Sequence, residues 1–345
     1  MAPTVPWYLK KCKRSLRWQC DRCGNYSDID VHAAVSKLQA KSFCGKFDGV
    51  YFHKQFDAVA VMVKRFLLNG KLAESAAPLS PGDRAFNYGD GVFETLRYVG
   101  GRAPLLAFHL SRLEHACNTL RLPIVTADIE SRVNLFCRLL RETEYCRGVL
   151  KILVSRSEGA RGCYLPTKSQ AQVFLSYQSP TPEHVREKRV ELIEAPQPLP
   201  SSSALAGIKH LSRLGYIAAE LSLPAPIEAM QEMLLLDADC RVIETMHHNI
   251  FFRLGRCLHT PQLNRCGVSG IMRRWVIDEV AQADLTLEQG QYYTGFFDNA
   301  DEVFITNAVQ GVVSVSKFQH RDFNDCSVAA DLQAALQRKF NFYES

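Results

Sequence analysis

The stretch GIKHLSRLGYIAAE occupies residues 207–220 and contains the lysine around which the whole chain is best understood, Lys209. Apolar residues recur at helical spacing from Leu211 onward and a Pro- and Ser-rich segment comes before, so the pattern predicts a helix that begins beside Lys209. A lysine at such a boundary can point inward, where burial lowers the pKa of its ammonium group and frees the lone pair for nucleophilic chemistry. Most single lysines are instead solvated at the surface, so further motifs must distinguish the two possibilities.

The composition is that of an ordinary globular protein. The 345 residues are 47% hydrophobic and 22% charged, which leaves room for a sizeable core, and a chain of this length favours two domains. No apolar run reaches the roughly 18 residues of a membrane span, and the basic N-terminus is not followed by the apolar core that a signal peptide requires. The 12 cysteines are scattered along the chain, which favours reduced thiols over a disulfide framework. We therefore expect a cytoplasmic protein without a membrane partner.

Residues 1–61 differ from the rest of the chain. They hold ten Lys and Arg against five Asp, a balance of +5 that equals the net charge of the whole protein. The body that follows is therefore neutral and gives no reason to expect a nucleic-acid partner. Cys20 and Cys23 form one CxxC, which is weak evidence for zinc without a second spaced pair, and the basic residues at 10–17 are also compatible with a targeting leader. We interpret this segment as a poorly ordered extension or as the result of a start codon assigned too early, because a clean domain opening begins at Met62.

The pattern sharpens at Met62 and predicts a small α+β domain at 62–180. A hairpin is expected around Asn69-Gly70, a dipeptide typical of tight turns. A second hairpin is expected to pair residues 92–99 with residues 102–108. Two helices and two strands complete this domain.

A second, larger domain is predicted at 185–345, after a linker at 179–184 marked by clustered Pro and Ser. It combines short strands with a helix at 268–283, for which Ser269 is the candidate cap, and a C-terminal helix. The fold class is therefore α/β (α+β).

Five strings follow one another at characteristic separations: YGDGVFETLR, HLSRL, GIKHLSRL, VIETMHHNIFF and CGVSGIMRRW. Together they resemble the class IV aminotransferases, fold-type IV enzymes that use pyridoxal 5′-phosphate, over residues 62–345. The resemblance implies two domains with the cofactor between them, and a homodimer. Within the family the likeness is greatest to the lyases that convert 4-amino-4-deoxychorismate to 4-aminobenzoate and pyruvate in folate biosynthesis.

The resemblance also implies roles for cofactor-binding residues. Lys209 matches the lysine that bonds covalently to the cofactor and moves protons, and Glu244 matches the carboxylate that pairs with the ring nitrogen, where a retained proton makes the ring an electron sink. Arg112 matches a phosphate-binding arginine, although an ion pair with Glu114 on the helix surface is the alternative. The start of a helix also suits an anion. The other matching phosphate-site residues are Gly270, Ile271, Thr306 and Asn307.

The substrate side of the site distinguishes the lyases from their relatives. Thr95 matches a threonine of the lyases, whose hydroxyl can position the reacting molecule or assist proton transfer, although Thr is also an ordinary strand residue. Lys151 and Arg161 match basic residues associated with the two substrate carboxylates, although solvated surface charge is the alternative.

Two histidines depart from the family pattern, and two other functions compete with the lyase. His247 and His248 follow Glu244 where many relatives have smaller residues, and such a pair is more often packing or surface than a ligand, so no metal is expected. An aminotransferase for branched-chain or D-amino acids is the alternative function, against which Thr95 and the pair Lys151 and Arg161 argue. A binding protein that acts through residues 1–61 is a third hypothesis.

Overall fold

The computed structural model describes residues 64–68, 70–74, 80–143, 145–159, 161–168, 170–179, 189–228, 230–281 and 285–343, together with five short strands nearer the N-terminus. The chain divides into two compact units, Met1–Val59 and Ala60–Ser345. The predicted linker lies outside the described residues from Pro180 onward, so the domain boundaries stay a prediction. None of the helices in the described part of the chain has the length and apolar character needed to cross a bilayer.

In the N-terminal unit, the described residues form two small antiparallel groups of strands. The first group contains β1 (Trp7–Cys12), β2 (Ser15–Cys20) and β3 (Tyr26–Ile29), and the second contains β4 (Lys46–Phe47) and β5 (Val50–Tyr51). Cys23, with which Cys20 forms the CxxC, lies outside the described residues. The interpretation of residues 1–61 as an extension stays a prediction.

The second unit begins with a five-stranded antiparallel sheet, in the spatial order β7-β6-β10-β9-β8. Its strands are β6 (Lys64–Leu68), β7 (Lys71–Ala73), β8 (Gly91–Val99), β9 (Arg147–Arg156) and β10 (Ala171–Gln178). Short helix α1 (Arg84–Tyr88) precedes β8, and helices α2 (Leu106–Thr119) and α3 (Thr126–Arg141) connect β8 to β9. Apolar residues of α2 and α3 form one core with alternate residues of β8 and β9, as the period of two in a strand requires.

The remainder of the unit is built on a nine-stranded mixed sheet, in the order β13-β12-β11-β18-β17-β14-β15-β16, with β19 beside β18. Its strands are β11 (Val190–Glu194), β12 (Gln231–Leu236), β13 (Val242–Thr245), β14 (Asn249–Leu254), β15 (Cys257–Pro261), β16 (Thr286–Gly290), β17 (Glu302–Asn307), β18 (Gly311–Phe318) and β19 (Arg321–Asp322). Its helices are α4 (Leu214–Leu221), α5 (Ile271–Val280), α6 (Ser327–Phe340) and a 3₁₀ helix (Thr294–Asn299).

The predicted hairpin around Gly70 is confirmed, because β6 pairs with β7 and Gly70 has a φ of +74°. The second predicted hairpin is wrong. Beyond β8 only Val99 and Arg102 pair, whereas helix α2 already begins at Leu106, and the partner of β8 along its whole length is β9. The apolar residues that follow Leu105 have helical spacing and pack into the core, which overrides the short turn signal.

The expected helix start at Lys209 is also wrong, because α4 begins at Leu214. Lys209 lies in an irregular segment whose backbone bonds to β8 at one end and to the loop before α5 at the other. Its carbonyl oxygen accepts a hydrogen bond of 3.0 Å from the amide of Phe93 on β8, and the amide of Gly207 donates to the carbonyl oxygen of Gly267 at 2.9 Å. Gly207 has a φ of +80°, and a Cβ there would come within 2.7 Å of Ser269 Oγ, so glycine is required.

Candidate active site

The amine of Lys209 is largely buried at the junction of the two sheets. Burial lowers its pKa to about 8, helped by the positive charges of Arg112 and Arg213 and opposed by the carboxylates of Glu94 and Glu244. A buried amine with a pKa in this range is partly neutral near pH 8, so it can act as a nucleophile or a base.

One face of β8 links Lys209 to two of the predicted substrate residues. Phe93 and Thr95 lie on this face, because alternate residues of a strand share a face. The Nζ atom of Lys209 lies 4.6 Å from the centroid of the Phe93 ring, and that of Lys151 lies 4.8 Å from the same centroid. Thr95 is directly opposite Lys151 in the register of β8 and β9. The structure therefore brings Lys209, Thr95 and Lys151 together around one aromatic ring.

The carboxylate of Glu244 is buried near the end of β13, and each of its oxygens accepts at least one hydrogen bond. Oε1 accepts from the hydroxyl of Tyr216 at 2.5 Å, and Oε2 accepts from the amide of Val268 at 2.9 Å and from Asn249 Nδ2 at 3.3 Å. Burial raises the pKa of Glu244 above its usual value, against the opposing effect of these hydrogen bonds. Within the described residues no cation lies within ion-pair distance of it. A positively charged ring nitrogen would therefore find an unpaired acidic partner here.

Arg112 pairs with Glu94, a buried residue of β8 that sequence reasoning missed, and not with Glu114. Nε and Nη2 of Arg112 donate to the two oxygens of Glu94 at 2.8 and 2.6 Å, and Nη1 donates to the carbonyl oxygen of Ser269 at 2.9 Å. His109 Nδ1 lies 2.6 Å from the same carboxylate. Although burial opposes ionisation, the charges and hydrogen bonds of Arg112 and His109 lower the pKa of Glu94 to about 2.

The location of Glu94 in the strand was the available signal. It alternates with Val92 and Leu96, which are buried against the helices, so its side chain points into the core and needs partners there. Charged groups with such partners in a core often support a functional site.

The predicted phosphate residues lie at the start of α5 and the end of β17. Gly270 is the N-cap of α5, and no side chain caps this helix, so Ser269 is not the cap. A Cβ on Gly270 would fall 1.8 Å from Asn249 Oδ1, so only glycine fits. The amides of the first turn, including that of Ile271, have no partner within the helix and suit an anion. A cavity of about 350 Å³ borders this helix start and Arg112.

Thr306 and Asn307 differ in what they can offer an anion. Thr306 is 1% exposed, and its Oγ1 is one of the few buried side-chain atoms in the described part of the chain without a hydrogen-bond partner. Asn307 instead folds its own turn, because Oδ1 accepts from the amides of Val309 and Gln310 at 2.9 and 2.7 Å.

Two further residues hold the turn that follows Thr306. Arg97 of β8 donates to the carbonyl oxygen of Val309 at 2.7 Å, and His248 Nε2 lies 2.7 Å from Gln310 Oε1. His248 is buried, whereas His247 is exposed, so the two neighbouring histidines have different roles. Sequence reasoning flagged His248 but had no means of finding its partner, which is 62 residues away.

Arg161 is not brought to the other site residues. It lies exposed in the loop between β9 and β10, which Arg84 ties down by donating to the carbonyl oxygen of Gly162 at 2.8 Å.

Comparison with known proteins identifies the family of this chain. A family model described as Amino-transferase class IV matches residues 91–318, which include Thr95, Lys209, Glu244 and Gly270. The chain belongs to this family. Its membership implies pyridoxal phosphate, and the residues fit that group: Glu244 suits the ring nitrogen, and the unpartnered hydroxyl of Thr306 suits a phosphate oxygen.

Individual class IV relatives agree with this assignment. The Aminodeoxychorismate lyase of Bacillus subtilis is 28% identical over 274 residues, which cover 78% of this chain and 91% of that protein. A Putative branched-chain-amino-acid aminotransferase of Methanocaldococcus jannaschii is 28% identical over 285 residues, 80% of this chain and 95% of that protein. The crystal structure of 4-amino-4-deoxychorismate lyase from Pseudomonas aeruginosa aligns with a TM-score of 0.72 and 32% identity, over 82% of this chain and 100% of that chain. The predicted fold-type IV architecture is confirmed.

Proposed function

We propose that the protein is a pyridoxal-phosphate-dependent lyase that converts 4-amino-4-deoxychorismate to 4-aminobenzoate and pyruvate. The observation that carries the proposal is the cluster around Phe93, where Thr95 and Lys151 are directly opposed and both lysine amines contact the ring. A hydroxyl and a cation beside a proton-transferring amine are what elimination from an anionic substrate requires. The lyases among the relatives support the same activity.

The cofactor would be held by Lys209 through its amine, by Glu244 at the ring nitrogen, and at the phosphate by Arg112, Thr306 and the backbone of Gly270 and Ile271. When bound, pyridoxal phosphate supplies an electron sink for the carbanion formed beside the substrate nitrogen. Glu244 keeps the ring nitrogen protonated, and the Tyr216 hydroxyl fixes the orientation of that carboxylate. Asn307 contributes by shaping the turn after Thr306.

Lys209 is the proposed proton carrier. Its Nζ removes the proton from the ring carbon that bears the substrate amino group, which burial and a pKa of about 8 allow near neutral pH. The bond between the ring and the enolpyruvyl oxygen then breaks, and the carbocycle becomes aromatic. The Thr95 hydroxyl, on the same face, orients the departing group or passes a proton to its oxygen. The released enol gains a proton at carbon and loses any proton on its oxygen to become pyruvate, so one proton leaves the ring carbon and one is added to the methyl carbon.

The two substrate carboxylates need two cations. Lys151 is held opposite Thr95 and is the proposed contact for one of them. Its pKa is lowered by partial burial and by the charge of Lys64, and pairing with a carboxylate would favour its charged form. Arg161 is the proposed second contact, for which the loop between β9 and β10 has to approach the substrate.

A homodimer, a cytoplasmic location and a role in folate biosynthesis belong to the same proposal. An exposed apolar surface on α4 supports a subunit contact, because Leu214 and Leu221 are 74% and 80% exposed.

Conversion of enzymatically generated 4-amino-4-deoxychorismate tests the proposal. Equal amounts of 4-aminobenzoate and pyruvate are expected from the full chain supplied with pyridoxal phosphate. A variant that begins at Met62 should be equally active, whereas loss of activity in it would favour a function in residues 1–61.

The M. jannaschii relative favours aminotransferase activity on branched-chain amino acids as a second candidate, and a D-amino-acid donor is the related possibility. Mixing the protein with an amino donor and no oxo-acid distinguishes the two reactions. An aminotransferase converts its cofactor to the amine form and loses the visible absorption of the aldehyde form, whereas a lyase without side activity retains it. Conversion of the cofactor without formation of 4-aminobenzoate from 4-amino-4-deoxychorismate would contradict the lyase proposal.

A further inference from the structure

A second cluster of reactive side chains lies on β15 and β16, on the face that points away from α5. The two strands are parallel, with His259 opposite Glu288. Leu258 and Leu287 pack into the core beside α5, so the alternating residues Cys257, His259 and Glu288 share the other face. The register of the strands therefore gathers a thiol, an imidazole and a carboxylate in one place.

The ligand atoms of these three residues all lie within 4.8 Å of one another, and His259 Nδ1 is 3.5 Å from Glu288 Oε2. His259 is buried, Cys257 is half-buried, and the side chain of Glu288 is 68% exposed. Two donors bound to one zinc ion lie roughly 3 to 4 Å apart, given metal–ligand distances of about 2.0–2.3 Å. The cluster needs only a small movement to close on an ion, and the exposed Glu288 side chain is free to make it.

We infer that Cys257, His259 and Glu288 form a zinc-binding site, separate from the residues proposed to act on the substrate. Sulfur, nitrogen and oxygen donors in this combination suit zinc, whereas magnesium and calcium prefer oxygen alone. Within the described residues, His259 is the one basic side chain within ion-pair distance of Glu288, so no Lys or Arg competes for the carboxylate. Water can complete a tetrahedral set, and the hydroxyl of Tyr292, 3.2 Å from His259 Nδ1, is close enough to hydrogen-bond to it.

The position of the site explains what an ion would do there. Among the described strands, β16 is the last in the sheet and pairs with β15 alone, which leaves its other edge without a partner strand there. Zinc would tie this edge strand to its neighbour. On its opposite face, Gln289 of β16 accepts a hydrogen bond of 2.7 Å from Arg273, and both residues border the cavity beside α5. Zinc would therefore also fix one wall of that cavity.

Metal content of the purified full chain tests the inference. The protein is loaded with zinc, dialysed, and compared with Cys257→Ser, His259→Gln and Glu288→Gln variants. Residues 1–61 contain their own CxxC, so a double variant Cys20→Ser and Cys23→Ser is the matched control. We expect each variant of the cluster to lose about one equivalent of zinc, or to bind it about tenfold more weakly, while the control keeps that equivalent.

Cobalt supplies a second readout, because a thiolate bound to Co²⁺ gives a charge-transfer absorption. This band should disappear in Cys257→Ser and persist in the control. Zinc should also slow hydrogen exchange of the β16 amides, and Glu288→Gln, a change in an exposed side chain that leaves the core intact, should remove this protection. Equal zinc content in the wild type and all three variants, or a cobalt band that depends only on Cys20 and Cys23, would overturn the inference. Neither result depends on lyase activity.

Discussion

The carboxylate of Glu94 holds the guanidinium of Arg112 through two hydrogen bonds, at 2.8 and 2.6 Å, inside the core of the smaller sheet. The proposed phosphate arginine is therefore neutralised and fixed in place before any anion arrives. Its remaining N–H groups are free to point outward, because each of its nitrogens uses one bond within the protein. Preorganisation of this kind reduces the entropy that binding would otherwise cost.

Replacing Glu94 by Gln should lower both the stability of the protein and its affinity for pyridoxal phosphate. Removing one member of a buried ion pair costs about 3–5 kcal/mol. Glu114→Gln, on the exposed face of α2, is the matched control and should change neither quantity. Urea unfolding at pH 7 and cofactor titration measure the two effects. Equal stability of both variants would show that the pair contributes little.

The same carboxylate gives a signed pH dependence. The pKa of Glu94 is about 2 in the folded protein, below its value in the unfolded chain, so the unfolded state binds more protons at intermediate acidity. The stability it contributes is complete above pH 4.5 and is lost as the pH falls toward 2. The difference in unfolding free energy between wild type and Glu94→Gln should therefore shrink over this window. A difference that stays constant from pH 5 to pH 3 would contradict the assignment.

Capture of pyridoxal phosphate by Lys209 should accelerate as the pH rises through about 8, because only the neutral amine attacks an aldehyde. Arg213→Gln removes a positive charge that lowers the pKa of Lys209, so the midpoint should move to higher pH. Arg274→Gln is the control. The guanidinium of Arg274 lies over the ring of Phe108, and Arg274 is not among the charged groups that shift the pKa of Lys209. Borohydride reduction followed by peptide mapping should find the label on Lys209. A label on another lysine would refute the proposed centre.

Thr95→Ala should slow formation of 4-aminobenzoate by about 10²-fold, within the usual range for a lost proton-transfer or positioning group, and leave cofactor binding unchanged. Thr95→Ser keeps the hydroxyl and should recover most of the rate. Steady-state kinetics together with the visible spectrum of the bound cofactor measure both. If Thr95→Ala and Thr95→Ser are equally slow, the methyl group and not the hydroxyl matters.

Lys151→Met should raise the KM for the substrate more than it lowers kcat, because the cation binds a carboxylate that does not react. Arg161→Met tests whether the loop between β9 and β10 reaches the substrate. Equal increases in KM would support two carboxylate contacts, whereas an unchanged KM in Arg161→Met would assign the second contact elsewhere.

The motifs predicted which residues lie close together better than they predicted the conformation of those residues. The segment after Leu211 has helical spacing, but Lys209 lies before the helix, where its carbonyl oxygen accepts from the amide of Phe93 and the amide of Gly207 donates to the carbonyl oxygen of Gly267. Such pairings join residues far apart in sequence, which no local period encodes. The alternation of β8 places Glu94 in the core, but that period does not reveal its partner Arg112, which belongs to the following helix. An ordered set of motifs marks Thr95 and Lys151, which the structure places opposite each other on β8 and β9, and their roles stay a prediction.

His248→Ala should weaken binding of pyridoxal phosphate, although His248 is proposed to touch neither cofactor nor substrate. His248 Nε2 holds Gln310 Oε1, and Gln310 in turn receives Asn307 Nδ2 at 3.0 Å, so the imidazole fixes the turn that follows Thr306. Loss of a buried hydrogen bond costs about 1–3 kcal/mol, which corresponds to a decrease in affinity of roughly 5- to 150-fold if it falls entirely on binding.

His247→Ala is the matched control, because the side chain of His247 is 70% exposed. Fluorescence titration with the cofactor measures both variants, and the phosphorus NMR shift of the bound phosphate reports on the turn itself. A His248→Ala protein that binds as tightly as His247→Ala, with the same phosphorus shift, would mean that Arg97 and Asn307 hold the turn without His248.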